Sequence, residues 1–477
     1  MSKFNNRPTE TTVNKDGFPA YAMTDKSKLV TQVLTSFFNE QKFYGDNSAE
    51  MEKTIRRVIE QDADFVSRLA VFARREFNMR SVSHVLAAYL ANEPKGKPYA
   101  RRTVEGIVLR GDDVTEVLAF YLNTFGKPIP NSLRKGINDA FSKFDEYTLA
   151  KYKGTRRSIK MRDVLLLCHP TPKDEVQADL WKRLIEDRLK PPMTWETQLS
   201  AKGNNRATWE QLIDSGKVGY MALLRNLRNI LEAEPRNLDK VLQTLTDENA
   251  VRHSKQLPFR FLSAYREVRG IASSRVLTAL ENAARTAVDN LPQLPGQTVI
   301  AVDVSGSMMS SLSLRSNVRC SDVGMMLGLI ANRICEDSLF YTFDTEIRRY
   351  PHTRHTPLLE ASLRCPGGGG TEIGLPFQVM IQERLRPDRI IILSDNECNR
   401  PHWAGKPVQA LADEYRQWTN NDLWVHAIDL QGYGTQQFAG PKTNIIAGWS
   451  EKVFDFILLV EQGVGSLEDT ISRYTWQ

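Results

Sequence analysis

Cysteine is scarce in this chain of 477 residues: five are present, Cys168, Cys320, Cys335, Cys365 and Cys398, and none stands in a CxxC spacing. That scatter argues against a disulfide framework and a structural zinc site, so a reduced, cytoplasmic setting is expected. Long apolar runs are missing too. No window approaches ~18 uninterrupted apolar residues, the length a spanning helix needs, so no membrane segment is expected. The opening MSKFNNRPTETTVNKDGF has no apolar core, which excludes a secretory signal from the expectation.

What is present is ordinary in bulk and uneven in distribution. Hydrophobic residues make up 41% and charged residues 25% of the chain, as in a soluble globular protein. The length suggests two or three domains. The net charge of +6 hides a split: residues 1–300 hold 47 Lys and Arg against 36 Asp and Glu, and residues 301–477 hold 16 against 21. A cationic half beside an anionic half suggests that the first half meets a polyanion, although such a split also arises from surface chemistry alone.

Residues from about 26 to 290 read as helix after helix. KSKLVTQVLTSFFNE, AEMEKTIRRVIEQ, ADFVSRLAVFARREF, SVSHVLAAYLAN and DVTEVLAFYLNTFG repeat apolar residues at three- and four-residue steps between Gly, Pro and Asn-Asp breaks. Short joints suit antiparallel helix pairs, and a stack of pairs is an α-solenoid, here without a clean internal period. LPQLPGQ at 291–297 stops the last helix, which places a helical domain at 1–291 and a second domain at 297–477. After it, the β-rich runs QTVIAVDVS, SLFYTFD, DRIIILSD and DLWVHAIDL alternate with amphipathic helical stretches. That alternation predicts an α/β, doubly wound, mostly parallel sheet.

In such a sheet, ligands bind beyond the C-terminal strand ends where the winding reverses. Asp303 ends the first strand of this half and leads into Ser305 and Ser307; Asp395 ends RIIILSD in the same way, and GGGGTE brings Thr371 within reach. This set of hard oxygens suits Mg²⁺ or Mn²⁺ and not zinc. It also leaves water positions on the ion that an acidic residue of a partner could fill. A lone DxSxS is more simply a strand-to-helix turn with capping serines; the glycine-rich TE loop and the second strand-terminal Asp favour the metal. The arrangement resembles the von Willebrand factor A domain and its metal-ion-dependent adhesion site, with Glu372 where that site usually has Asp. The resemblance implies a metal that serves adhesion and not hydrolysis.

The second constellation is KYKGTRRSIKMRDVLLLCH. Lys151, Lys153, Arg156, Arg157, Lys160 and Arg162 fall within twelve residues with no acid among them. A phosphate backbone would relieve their repulsion; a solvated loop is the plainer reading. His169, closing an apolar run before Pro170, reads by itself as a helix-end or packed residue. Arg134 and Lys135 in NSLRKGINDAF form a weaker basic pair.

In order along the chain, AYAMTD, SLRKGINDAF, KYKGTRR…LLLCH, TWE and YMALLRNLRNI, then AVDVSGSM and LSDNE, resemble the Ro autoantigen family. That family has a TROVE domain of HEAT-like helices followed by a von Willebrand factor A domain, and the economy of loops is closer to a bacterial or phage member than an animal one. The resemblance implies a ring of helical repeats. Its basic outer surface would bind small structured Y-like RNAs, and a central hole would take single-stranded 3′ ends of misfolded RNA. RNA contacts are implied at Lys151, at Arg156 or Arg157, and at His169, with Lys153, Arg134 and Lys135 on the same basic surface. The expected protein is a monomeric, non-enzymatic RNA-binding protein of noncoding-RNA quality control, with an exoribonuclease or other protein partner at the metal site. The alternatives are a metal-dependent protein-adhesion adaptor with incidental RNA affinity and, more weakly, a metal-dependent hydrolase.

Overall fold

The computed structural model describes residues 11–476 apart from 14–18, 36–47, 155–157, 191, 193, 257, 290, 312–317, 354–355, 366, 399–407, 433, 449–451 and 464–466. The chain divides into two compact units. One is Asp25–Thr197 with Glu468–Gln477; the other is Met1–Thr24 with Gln198–Leu467.

The first unit is helical: α1 (Asp25–Thr35), α2 (Ser48–Arg75), α3 (Ser81–Asn92), α4 (Lys97–Ile107), α5 (Gly111–Phe125), α6 (Asn131–Phe141), α7 (Glu146–Lys151), α8 (Met161–Cys168) and α9 (Glu175–Ile185). The two helices expected from AEMEKTIRRVIEQ and ADFVSRLAVFARREF run together as α2 and bend at Asp62, whose φ of −156° and ψ of 82° are not helical. Asp62 Oδ1 accepts the Phe65 N–H at 3.0 Å, as an N-cap does, so the second segment restarts there. In α3 every residue from Val82 to Ala91 is buried, as expected of a central helix packed on all sides. Gly136 lets α6 lie against α4, because a Cβ there would stand 2.8 Å from the Arg101 carbonyl oxygen. The end of the chain belongs to this unit. Tyr474 packs edge-on against Phe72 at 5.2 Å and donates its hydroxyl to Glu76 at 2.9 Å.

The second unit holds a six-stranded sheet and a small three-stranded one. Its strands are β1 (Thr11–Val13), β2 (Pro19–Ala22), β3 (Leu294–Asp303), β4 (Cys335–Phe343), β5 (Ile347–Arg349), β6 (Arg389–Ser394), β7 (Trp424–Asp429), β8 (Thr435–Gln436) and β9 (Thr443–Ala447). The large sheet runs β5-β4-β3-β6-β7-β9, parallel except for the antiparallel edge β4–β5. All six residues of β6 are buried, the pattern of a parallel strand covered on both faces. The small sheet pairs β2 with β1 and β8, so AYA near the start of the chain lies beside residues 435–436.

The expected helical array and doubly wound sheet are both present. Residues 198–288, helical and ahead of the LPQLPGQ joint, group with the sheet. Glu281 of the helix Ser274–Val288 explains part of this: its carboxylate accepts the N–H groups of Leu359 and Glu360 at 2.9 and 2.8 Å.

Candidate functional site

The winding of the large sheet reverses at β3, which has β4 on one side and β6 on the other, and three loops meet at this edge. The first is the DxSxS loop. Asp303 and Ser305 are buried, and Asp303 Oδ1 accepts the Ser305 N–H at 2.8 Å. Ser305 Oγ and Ser307 Oγ stand 3.2 Å apart. The second is the glycine-rich loop, tied to the first by two backbone bonds: Gly306 N–H to Gly369 O at 2.9 Å and Gly368 N–H to Val304 O at 3.1 Å. Gly369 has φ +96°, which an L side chain rarely adopts, so glycine is required where this loop turns in. It delivers Thr371, buried, to the edge. The third loop follows β6. Ser394 donates its hydroxyl to Asp303 Oδ2 at 2.7 Å; the next residue, Asp395, is fully buried and accepts the Glu397 N–H at 3.3 Å. Cys398 donates from its thiol to the Thr371 carbonyl at 3.5 Å, which joins the second and third loops.

Asp303, Ser305, Ser307, Thr371 and Asp395 therefore sit on loops bonded to one another at one strand edge. Burial raises the Asp303 carboxyl above the ordinary carboxylate range, and the neighbouring Asp395 charge raises it further, against hydrogen bonds from Ser305 and Ser394. Buried like charges of this kind are relieved by a cation. The donor set, all carboxylate and hydroxyl oxygen, fits Mg²⁺ or Mn²⁺. Among the described residues no group of three or more His, Cys, Asp or Glu is placed to hold a metal, so a site here depends on its hydroxyls. Ser394 carries no signal of its own in the sequence. Its part is a bond across the ladder to Asp303, and no local pattern marks that.

The basic surface lies in the helical unit. Lys151 is the last residue of α7, exposed, with Nζ 5.6 Å from the Tyr147 ring centroid and 5.4 Å from that of Tyr152. Among the described residues no acid pairs with it. Lys153, in contrast, pairs with Asp187 Oδ1 at 3.1 Å. Its carbonyl accepts the Met161 N–H at 3.2 Å, closing the loop into α8. Arg156 and Arg157 lie outside the described residues. His169 caps the C-terminus of α8 in the left-handed conformation, φ 50° and ψ 57°, with its side chain exposed. Arg134 and Lys135 lie on α6, Lys135 exposed and Arg134 half-buried with its guanidinium on Asn131 at 2.7 Å. Burial pushes the Cys168 thiol up to about 12, and the Arg134 charge opposes it. Asn138 of the same helix donates to the Cys168 carbonyl at 3.1 Å. Lys151 and Lys153 thus flank the start of α8, and Arg134 and His169 its end.

The TROVE-domain model matches residues 23–186 and 182–276, more than half of the chain, and the Ro60 vWA-domain model matches 297–454. The chain belongs to the Ro family. A Ro relative from Deinococcus radiodurans, named RNA-binding protein RO60, is 25% identical over 479 residues, which cover 85% of this chain and 86% of the relative. Telomerase protein component 1 of Rattus norvegicus is 26% identical over 322 residues, 50% of this chain, and the Ro-type chain spans only 12% of that longer protein. The crystal structure of the Deinococcus radiodurans RO (RSR) protein superposes with a TM-score of 0.61 at 19% identity, covering 89% of this Ro-family chain and 96% of that one, and supports the fold. No helix among the described residues is long and apolar enough to cross a membrane.

Proposed function

We propose that this protein binds RNA through the basic surface around α8 and holds a divalent cation, Mg²⁺ or Mn²⁺, at the sheet edge. The observation that carries the reading is the pairing state of the cations. Lys151, without an acid partner among the described residues, and the exposed His169 and Lys135 are available to phosphate, whereas Lys153 is already committed to Asp187. Lys and Arg on phosphates position a nucleic acid without reading its sequence, so the surface suits small structured noncoding RNA of the Y-like type and misfolded RNA. Arg134 would join Lys151 and His169 in that contact, with Arg156 or Arg157. Single-stranded 3′ ends would enter the central hole that the family resemblance implies. In this reading the protein is a cytoplasmic monomer of noncoding-RNA quality control and not an enzyme. The cation, held by Asp303, Ser305, Ser307, Thr371 and Asp395, would supply an open coordination position for an acidic group of an exoribonuclease or other protein partner.

The test is binding of a small structured RNA to Lys151→Glu combined with His169→Ser across a salt series. Loss of about tenfold or more in affinity is expected, together with a shallower salt dependence, because fewer counterions are released on binding. Unchanged affinity and slope would remove this surface from the function. If Asp303→Ala then abolished capture of a protein partner, the adhesion-adaptor reading would replace it; the preformed oxygen cluster at the sheet edge favours that second reading.

A further inference from the structure

One buried carboxylate at the same edge is not used by the five residues above. Asp429 ends β7, is fully buried, and lies directly across the ladder from Ser394, the residue that donates to Asp303. Its Oδ1 accepts the N–H groups of Gln431 and Gly432 at 2.9 and 2.8 Å, the side-chain turn that Asp commonly makes at a strand end. That turn needs one oxygen. Oδ2 is buried and has no hydrogen-bond partner among the described residues. A buried charged oxygen left unpaired costs free energy that the fold would avoid by using Asn.

The loop that Asp429 opens is fastened to the loops of the cation site. Leu430 N–H donates to the Ser394 carbonyl at 2.9 Å, and Gln431 Nε2 donates to Ser310 Oγ at 3.1 Å, just beyond the DxSxS turn. Burial pushes the Asp429 carboxyl up to about 7, and the charges of Asp395 and Glu397 add to the rise against its two backbone hydrogen bonds. The described residues hold no cluster of three or more His, Cys, Asp or Glu placed as direct ligands, so an outer-sphere part is the one open to Asp429.

We propose that Asp429 is a third carboxylate of the divalent-cation site, acting from the outer sphere, with Oδ2 accepting a hydrogen bond from a water carried by the ion. The inference rests on the cation reading of Asp303 and Asp395. Groups in this position orient inner ligands and add charge, and their removal typically weakens metal binding about 10- to 100-fold.

The experiment is Mn²⁺ titration of the metal-stripped full chain, followed by the electron paramagnetic resonance of free Mn²⁺. Asp429→Asn keeps an oxygen for the turn and removes the charge at Oδ2. It is expected to weaken Mn²⁺ binding about tenfold with the fold retained by circular dichroism. Asp429→Ser, which also leaves a turn acceptor, gives the same reading should the Asn variant lose its fold. Wild-type affinity in either folded variant makes Asp429 a turn residue only and overturns the inference. Absence of Mn²⁺ uptake by the wild-type protein overturns the cation reading and this inference with it, an outcome distinct from the first.

Discussion

Asp113 shows what one side chain can hold together. It is fully buried in α5 and accepts from Arg74 at 3.2 Å, Arg80 at 2.6 Å, and the backbone N–H groups of Leu109 and Arg110 at 3.0 and 2.8 Å; His84 Nε2 stands 3.1 Å away. Burial alone would raise its pKa, but His84, Arg80 and Arg74 outweigh burial and hold it far below the usual carboxylate range. Removing the acid strands the buried Arg74 and leaves Arg80, a quarter exposed, with Asp112 alone. Asp113→Ala should therefore lower unfolding free energy by about 3–5 kcal/mol in urea melts. Asp139→Ala, which breaks the exposed pair with Arg101, should cost less than about 1 kcal/mol. Single residues were unequally legible in the sequence. Asp303 and Asp395 could be read because each follows an apolar run into a loop. Asp429 carries the same signal at the end of DLWVHAIDL, but its spare oxygen emerges only from the folded turn. Asp187 neutralises Lys153 from 34 positions away, a pairing no local spacing reveals.

At the scale of elements, β3, β4, β6 and β7 follow the four β-rich runs, because a strand buried on both faces must be continuously apolar. The edge strands β5 and β9 are three and five residues long and fall below what a pattern can resolve. Helix Val453–Glu461 is pinned to the sheet through its last residue. Glu461 accepts from Arg389 of β6 at 2.7 and 2.9 Å and stands 2.9 Å from His426 Nε2 of β7. Burial would push Glu461 up, yet His426 and Arg389 hold it at about 2, below its ordinary value. A depressed carboxyl stabilises the fold above its unfolded pKa and loses that stabilisation as pH falls through the folded one. Stability of the sheet unit should therefore decline between about pH 4.5 and pH 2, by on the order of 2 kcal/mol once partial solvent screening is allowed for. Glu461→Gln should flatten that part of the profile in thermal melts taken across the acid range.

At the scale of the whole molecule, sequence order and spatial grouping diverge at both ends of the chain. Residues 468–476 pack in the helical unit: Ser27 donates to Glu468 at 2.7 Å, Arg68 donates to the Tyr474 carbonyl at 2.6 Å, and the Trp476 indole lies where a Cβ on Gly106 would come within 2.8 Å of it. Truncation after Arg473 removes both aromatic rings. It should destabilise the helical unit by about 3 kcal/mol and raise its hydrogen exchange along α2 and α4, with the sheet unit unaffected.

The sequence by itself determined the elements and most of the chemistry: helical periodicity in the first three hundred residues, apolar strands ending in acids in the remainder, hard oxygens at one loop and cations at another. These follow from nearest-neighbour rules of burial and turn formation, which act over a few residues. Only the tertiary structure decided which cations are already neutralised, which serine bridges two strands, where residues 198–288 belong and which oxygen of Asp429 is left over. Each of these depends on a partner tens to hundreds of positions away, and the energy of a buried charge is set by what the fold brings against it.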